Sequence, residues 1–420
     1  MKKGLTLLFT GFFALVIAGI ASAQTGISPM VTTPTVLGLL VVAGHNMPVG
    51  QMLLSSADVS AISRYAHMFK RQLITTLVNG LDVANDIMVL PGIKSSMKLP
   101  KIKANAGFRP YSATKEFKSG DLAYTDREIK VQVGKRELQI DPEDFRDTYL
   151  SLTLSPGSGA SQKKIPFVEY IWSEIINKVK EEINNKTAYF GFDKTDAAAW
   201  LVGTAYSAGD YVTRPVNSVT EYFQAQGSTT GDDPATDDGT NWVNVTAESV
   251  VPGLKSYIDA AITASEVSEV GTGAITSGAT AVAALRELFR SAPPAYKNSN
   301  IIIHASFTDV EWYLDGAETA ITKYTTPEVT AMAKNGLVPL IGTFGKGWIK
   351  PATWLGDSRR LRAEPMMGAK GTNLVMGTDM LGDANDIATQ DDLWTVIAGL
   401  KMVLGFQISD TDALWTNDQD

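Results

Sequence analysis

The chain has 420 residues, 44% apolar and 20% charged, enough to bury a full core and to divide into two or three domains. Its formal net charge of −8 argues against an electrostatic grip on nucleic acid, which needs clustered Lys and Arg to displace counterions from phosphate. With no cysteine, disulfides, thiolate metal sites and cysteine nucleophiles are excluded.

Lys2 and Lys3, the apolar run Leu5 to Ile20, and Ala21-Ser22-Ala23 before Gln24 have the pattern of a secretory signal peptide over residues 1–23. The run is shorter than the ~20 apolar residues of a spanning helix. Met30 and Met47 are alternative starts. Residues 24–54, rich in Thr, Pro, Gly and aliphatics, read equally as an extended arm or a linker. Val59, Ile62, Ala66, Phe69, Leu73 and Leu77 then recur at steps of three and four. That spacing predicts a helix opening near Ser56 or Asp58 and stopping at Gly80. His67 lies beside the stripe with no second ligand at a useful spacing, as a packed or surface histidine would.

Lys94, Lys98, Lys101, Lys103, Arg109, Lys115 and Lys118 face one acid, Glu116, but Pro91, Pro100 and Pro110 break the run into extended pieces. A solvated or subunit-facing stripe fits this better than a nucleic-acid surface. Ile129, Val131 and Val133 alternate with Lys130 and Gln132, and Leu138 and Ile140 continue the period of two. The expectation is a charged β-hairpin from Asp126 to Pro142 that turns at Gly134-Lys135. Such a ribbon is marginal alone and must lie against something else. Pro166 suits the first turn of a long amphipathic helix with Ile171, Ile175, Ile176, Val179 and Ile183 as its buried stripe and Glu174–Lys178 as an outer pair. To Tyr189 it would span roughly 35 Å.

Residues 193–248 read as a separate small β-module whose charges are all acidic apart from Lys194 and Arg214. Its Trp200, Tyr206, Tyr211, Tyr222 and Trp242, with the Gly209-Asp210 turn, are spaced as in the modules it resembles, small carbohydrate-binding modules of the chitin-binding type. Where those present exposed aromatics for sugar stacking, this chain has Gln226-Gly227-Ser228-Thr229, so a structural surface knob is the favoured reading.

Helices are expected near Pro252–Ala264, Ala281–Arg290, Phe307–Leu314 and Pro327–Lys334, with a buried strand at Ile301–His304 and a turn and strand across Gly336–Gly342. His304 is expected to be a satisfied core residue. Asn373–Asp379 and Leu393–Phe406 look like strands returning to pack on the long helix. Asp379, Asp383, Asp386, Asp391 and Asp392 lack EF-hand spacing and read as a solvated acidic loop. Gly342-Thr343-Phe344-Gly345-Lys346-Gly347 only superficially resembles a phosphate loop. Metalloprotease, nucleophile-elbow and phosphate-loop motifs are absent, so neither an enzyme nor a cofactor is expected.

The order of the pieces, Val89-Leu90-Pro91-Gly92-Ile93-Lys94, then the charged hairpin, then Pro166-Phe167-Val168-Glu169-Tyr170-Ile171-Trp172 and its helix, resembles major capsid proteins of tailed phages that infect Bacteroidota hosts, including the crAss-like group. The resemblance covers roughly residues 55 to 192 and 250 to 410. It implies an α+β, Hong Kong 97-like major capsid fold with a small all-β insertion. The segments would be a leader (1–23), an N-terminal arm and helix (24–110), an extended β-hairpin loop (111–165) and a peripheral-domain spine helix (166–192). The inserted module (193–248), an axial domain (249–365) and strands returning to the peripheral domain (366–420) would follow. The implied function is self-assembly, through pentamers and hexamers, into an icosahedral shell in the virion. That shell would be built in the host cytoplasm and would enclose double-stranded DNA without sequence-specific binding. Portal, scaffold or decoration proteins are the implied further partners, and Arg127, Lys135 and Arg136 of the hairpin the implied assembly contacts. The rival expectation is an exported carbohydrate-binding or cell-surface protein, which uses the leader and the module's aromatics but leaves the hairpin-then-helix order unexplained.

Overall fold

Hydrophobic period decides the helices, and the computed structural model places them where the stripes predict. It describes residues 59–104, 110–111, 113–114, 122–141, 167–321, 335–379, 385–392 and 395–419, all within a single unit. The leader, the arm, Arg109, Lys115, Lys118, Pro166, the helix expected at 327–334, Asp383, Leu393 and Trp394 lie outside the described residues.

Helix α1 (Val59–Asn79) buries Ile62, Ala66, Ile74, Leu77 and Val78 and ends at Gly80. Helix α2 (Asp82–Asp86), strand β1 (Met88–Pro91), the long strands β2 (Ser96–Ala104) and β3 (Leu122–Lys130), and β4 (Gln132–Ile140) follow. The long helix α3 (Phe167–Glu182) buries the expected Ile171, Ile175, Ile176 and Val179, and seats Trp172 fully in the core. It runs on through a π turn, Ile183–Thr187, into a last turn, Ala188–Phe190. Lys178 pairs with Glu181 at 3.1 Å, not with Glu174.

The inserted module carries β5 (Ala198–Ala199), β6 (Ala205–Tyr206), β7 (Tyr211–Val216), β8 (Val219–Ala225), β9 (Thr229–Thr230) and β10 (Trp242–Asn244). Next come α4 (Leu254–Thr263), β11 (Ser268–Val270), α5 (Gly278–Arg290), β12 (Ile301–Ala305) and α6 (Phe307–Ile321). Helix α5 opens with a capping box between Ser277 and Thr280. The chain closes with β13 (Val338–Pro339), β14 (Gly347–Pro351), β15 (Arg362–Met367), β16 (Lys370–Gly371), β17 (Leu374–Thr378), β18 (Asp386–Asp391), β19 (Val396–Ile408) and β20 (Trp415–Asn417).

The fold is α+β, with two principal sheets. In the first, β19 is the centre: β17 and β18 lie along one side of it, β4 along the other, and β1 pairs parallel with β17. The second runs β11-β20-β15-β12-β14-β13. One face of its central strand, Ile301, Ile303 and Ala305, packs on Leu285 and Leu288 of α5 and Tyr313 of α6. The other face puts His304, Arg362 and Glu364 side by side, all fully buried. Such groups are tolerated inside only when paired. His304 Nε2 lies 2.9 Å from Glu364 Oε1, whereas its buried Nδ1 has no partner, so the expected core histidine is buried but only half satisfied. Arg362 lies 4.1 Å from the Tyr189 ring centre, and donates to the Tyr189 hydroxyl and to Ser358 Oγ. Asp86 of α2 accepts from Trp354 Nε1 at 2.9 Å and pairs with Lys350 at 3.2 Å. A polar layer thus joins the second sheet to the end of α3 and to α2.

Candidate assembly surfaces

The alternation at Ile129, Val131 and Val133 makes strands, but not the expected hairpin. Strands β3 and β4 do not pair with each other. Nine residues of β4 pair antiparallel with β19, and nine of β3 with β2. The chain runs extended through Gly134-Lys135 and changes partner at Val131, whose N–H donates to Ser95. A Cβ on Gly134 would sit 2.8 Å from Val250 Cγ1, so glycine there answers a close approach and not a turn. The joint nests over β17 and β19, where Gly377 and Gly405 face each other across the ladder. Their missing side chains leave room for Ile129 and Val131, and a Cβ on Gly405 would strike the Lys130 carbonyl.

The true hairpin is the ribbon β2–β3, whose first strand lies within the segment assigned to the arm. Among the described residues it pairs with no further strand, and the edge of β3 meets β19 through Gln407, whose Nε2 donates to the Glu128 carbonyl at 3.0 Å. Directly opposed residues share a face. One face, with Leu99, Lys101, Lys103, Arg127 and Ile129, turns toward the body. Ile129 is fully buried, Lys101 pairs with Asp410 and Asp412, and Lys103 pairs with Asp412 at 3.5 Å. The lysine beside it holds the Asp412 carboxyl below its ordinary value. Of the four described lysines of the basic run, three are therefore paired with the chain's own acids. The other face begins with the Lys98–Asp126 pair, 2.6 Å apart, and ends in Ile102, Tyr124 and Leu122, which are 69%, 60% and 69% exposed.

The three sequence-predicted assembly residues do not converge. Arg127 pairs with Glu266 at 2.9 Å on the inner face of the ribbon. Arg136 pairs with Glu182 of α3 at 3.2 Å, tying strand to helix inside the subunit. Lys135 is 69% exposed, with Glu137 beside it at 3.0 Å. Ile102, Leu122 and Tyr124, which the sequence reading did not single out, form the exposed apolar patch on the ribbon. Leu122 and Tyr124 stand two apart, as one face of a strand does, but only the pairing with β2 brings Ile102 beside them.

Between α3 and the returning strand β19 lies a cavity of about 320 Å³, floored by Val179, Ile183, Leu400 and Met402. The end of the inserted module closes one side of it. The module leaves at Gly191 and returns at Gly253, where the Gly253 N–H donates to the Gly191 carbonyl at 2.8 Å. Its aromatics turn inward. Tyr206 and Trp242 pack edge-to-face in its core, 5.2 Å apart. Tyr211 stacks on Phe192 at 3.9 Å, Tyr222 meets the same ring edge-on, and Arg214 covers Trp200. None of the five is exposed as a flat stacking platform, which removes the surface that sugar stacking needs. The acids of the module's loop make local bonds: Asp237 accepts from the backbone of Gly239, Asn241 and Trp242, which lowers its pKa.

Among the described residues no group of three His, Cys, Asp or Glu could hold a metal ion. Of the late acids, Asp386 pairs with Lys70, and Asp391 accepts from Ser63 of α1. His67 is exposed, beside Thr389.

No protein-family model matches the chain, and no curated protein matches it. Among solved structures it is similar to the capsid of Myoviridae phage XM1, at 13% identity and a TM-score of 0.41, over 79% of this chain and 88% of that one. A chain from the satellite phage P4 procapsid including size determination (Sid) protein is similar at 12% identity and a TM-score of 0.41, over 83% of this chain and 90% of that one. A third likeness is to the virus-like particle from Pyrococcus furiosus, at 8% identity and a TM-score of 0.38, over 83% of this chain and 96% of that one.

Proposed function

We propose that this chain is the repeating subunit of a closed protein shell of the Hong Kong 97-like kind, enclosing the double-stranded DNA of a tailed phage. The observation that carries the reading is the ribbon β2–β3. It is held to the body along one face and offers solvent an apolar patch at the far end of the other. A two-stranded ribbon is marginal in water, and exposed apolar side chains on it cost solubility unless something covers them. A neighbouring copy is that cover, and repetition around closed symmetry makes many modest contacts cooperative. DNA would be enclosed, not gripped, as the net charge requires. Lys135, unlike Arg136, is free to meet a neighbour's acid without first leaving a partner on α3.

Expression of the chain from Gln24, followed by negative-stain microscopy and mass in solution, tests the reading. Closed shells, or pentamers and hexamers, are the expected result, and a monomer at every concentration would refute it. In shells that form, Lys135→Glu is expected to lower yield with the subunit's melting temperature unchanged. Arg136→Glu is expected to lower both, because about 0–1 kcal/mol of pairing to Glu182 goes with it and a like charge replaces it.

A further inference from the structure

The glycine-rich segment Gly342–Gly347 lacks the spacing of a phosphate loop, yet its backbone is unusual. Thr343 O accepts from Lys346 N–H at 3.1 Å, closing a tight turn whose central residues are Phe344 and Gly345. Their φ angles are +56° and +76°, both positive as in a type I′ turn. The first central place of that turn favours Asn, Asp or Gly, because a Cβ there crowds the following carbonyl. Here it is held by phenylalanine, and that phenylalanine is 99% exposed. Exposure alone would mean little, since single apolar side chains dot every surface. A bulky residue kept at positive φ without any burial to compensate is a different matter, and strain of that kind gathers at sites that do something.

The turn is also stiff. Thr343 Oγ1 donates to the Leu340 carbonyl at 2.7 Å and accepts from the Gly347 N–H at 3.0 Å. Lys346 Nζ reaches Asn298 Oδ1 at 2.8 Å, and the Lys346 carbonyl accepts from Ile301 at the head of β12. The ring is thereby held out from the second sheet on a support that loses little freedom on binding, the condition under which one aromatic becomes an anchor.

We propose that Phe344 is a preorganised anchor that inserts into a second copy of this chain, giving the shell a contact separate from the ribbon. This rests on the assembly reading. Contacts in a ring join two different surfaces of each copy, so each copy needs a projecting element as well as a receiving one. Phe344 projects from β12 and β14 of the second sheet, whereas the ribbon's root lies on β17 and β19 of the first. One copy can therefore use both at once.

Phe344→Gly separates the two roles of the residue. Glycine relieves the positive φ, so the unassembled subunit is expected to melt about 2 °C higher. Shell yield of the full chain under the same conditions is expected to fall at least tenfold, while Phe344→Tyr keeps it. Wild-type yield from Phe344→Gly would overturn the anchor and leave the assembly reading standing. A melting temperature unchanged or lowered by glycine would overturn the strain on which the inference is built. A wild-type chain that never associates would overturn both readings together.

Discussion

Replacing Glu364 with alanine is expected to destabilise the subunit by about 3–5 kcal/mol, the cost of leaving the partners of a buried charge unpaired. The carboxylate is fully buried and uses both oxygens. Oε1 meets His304 Nε2 across the second sheet, and Oε2 accepts from the backbone N–H groups of Asn373 and Leu374 at 2.6 and 3.0 Å. Those two residues open β17, in the first sheet, so one side chain ties the two sheets together. Alanine would strand two buried N–H donors and leave the histidine, whose Nδ1 already lacks a hydrogen-bond partner, without its carboxylate. Glutamine keeps the shape and an oxygen for the two donors, so Glu364→Gln is expected to retain more than half of the lost stability. Urea denaturation of the unassembled subunit decides the matter through the shift in midpoint at constant slope. An alanine variant within 1 kcal/mol of wild type, on the scale of an ordinary surface change, would show that the sheets are joined by packing alone.

This seam was not legible in the sequence. Arg362-Ala363-Glu364 alternates charge with an apolar residue, the signature of a strand with one wet face, yet both faces are covered. Which element covers the second face depends on Tyr189 and Trp354, residues far away along the chain, and no local pattern carries that information. What local pattern does carry came through well. The three-and-four spacing of α3 marked its buried stripe and that of α1 marked Ile62, Ala66 and Leu77, though it also took in the half-buried Phe69 and Leu73 and left out Ile74 and Val78; the isoleucine run marked β12 as a buried strand. The π turn at Ile183–Thr187 did not show, because it shifts the helical phase only once and near an end. The misplaced hairpin has the same cause as the hidden seam. Alternation tells which residues share a face but not which strand lies alongside, and a glycine between two apolar runs looks identical whether it makes a turn or, like Gly134, makes room for a distant valine. The module's aromatics repeat the point: their spacing was readable, their inward orientation was not.

The ribbon bears most directly on the proposed assembly contact, since the hairpin lies at β2–β3 and its exposed side chains are apolar where the expected contacts were charged. Changing Ile102, Leu122 and Tyr124 together to serine is expected to abolish shells. Covering such side chains contributes about 1.5–3 kcal/mol each at full burial, and these begin 60–69% exposed. Losing roughly 3–5 kcal/mol per contact is a change of about two to nearly four orders of magnitude in each association step, repeated at every subunit of a closed shell. Inside the subunit the same three positions touch little, so its melting temperature is expected to stay where it was. A parallel Lys98→Ala and Asp126→Ala pair removes an ion pair from the charged half of that face, where both groups are already solvated, and is expected to leave shells in place. Sedimentation and microscopy of the two variants side by side therefore distinguish an apolar contact from a charged one. Shells from the triple-serine chain at wild-type yield would refute the ribbon's role. Loss of shells in the charge-pair variant alone would return the contact to the polar residues. The outcome turns on the far half of one face of a nine-pair ribbon, because there three large apolar side chains stand together on one face, 60–69% exposed.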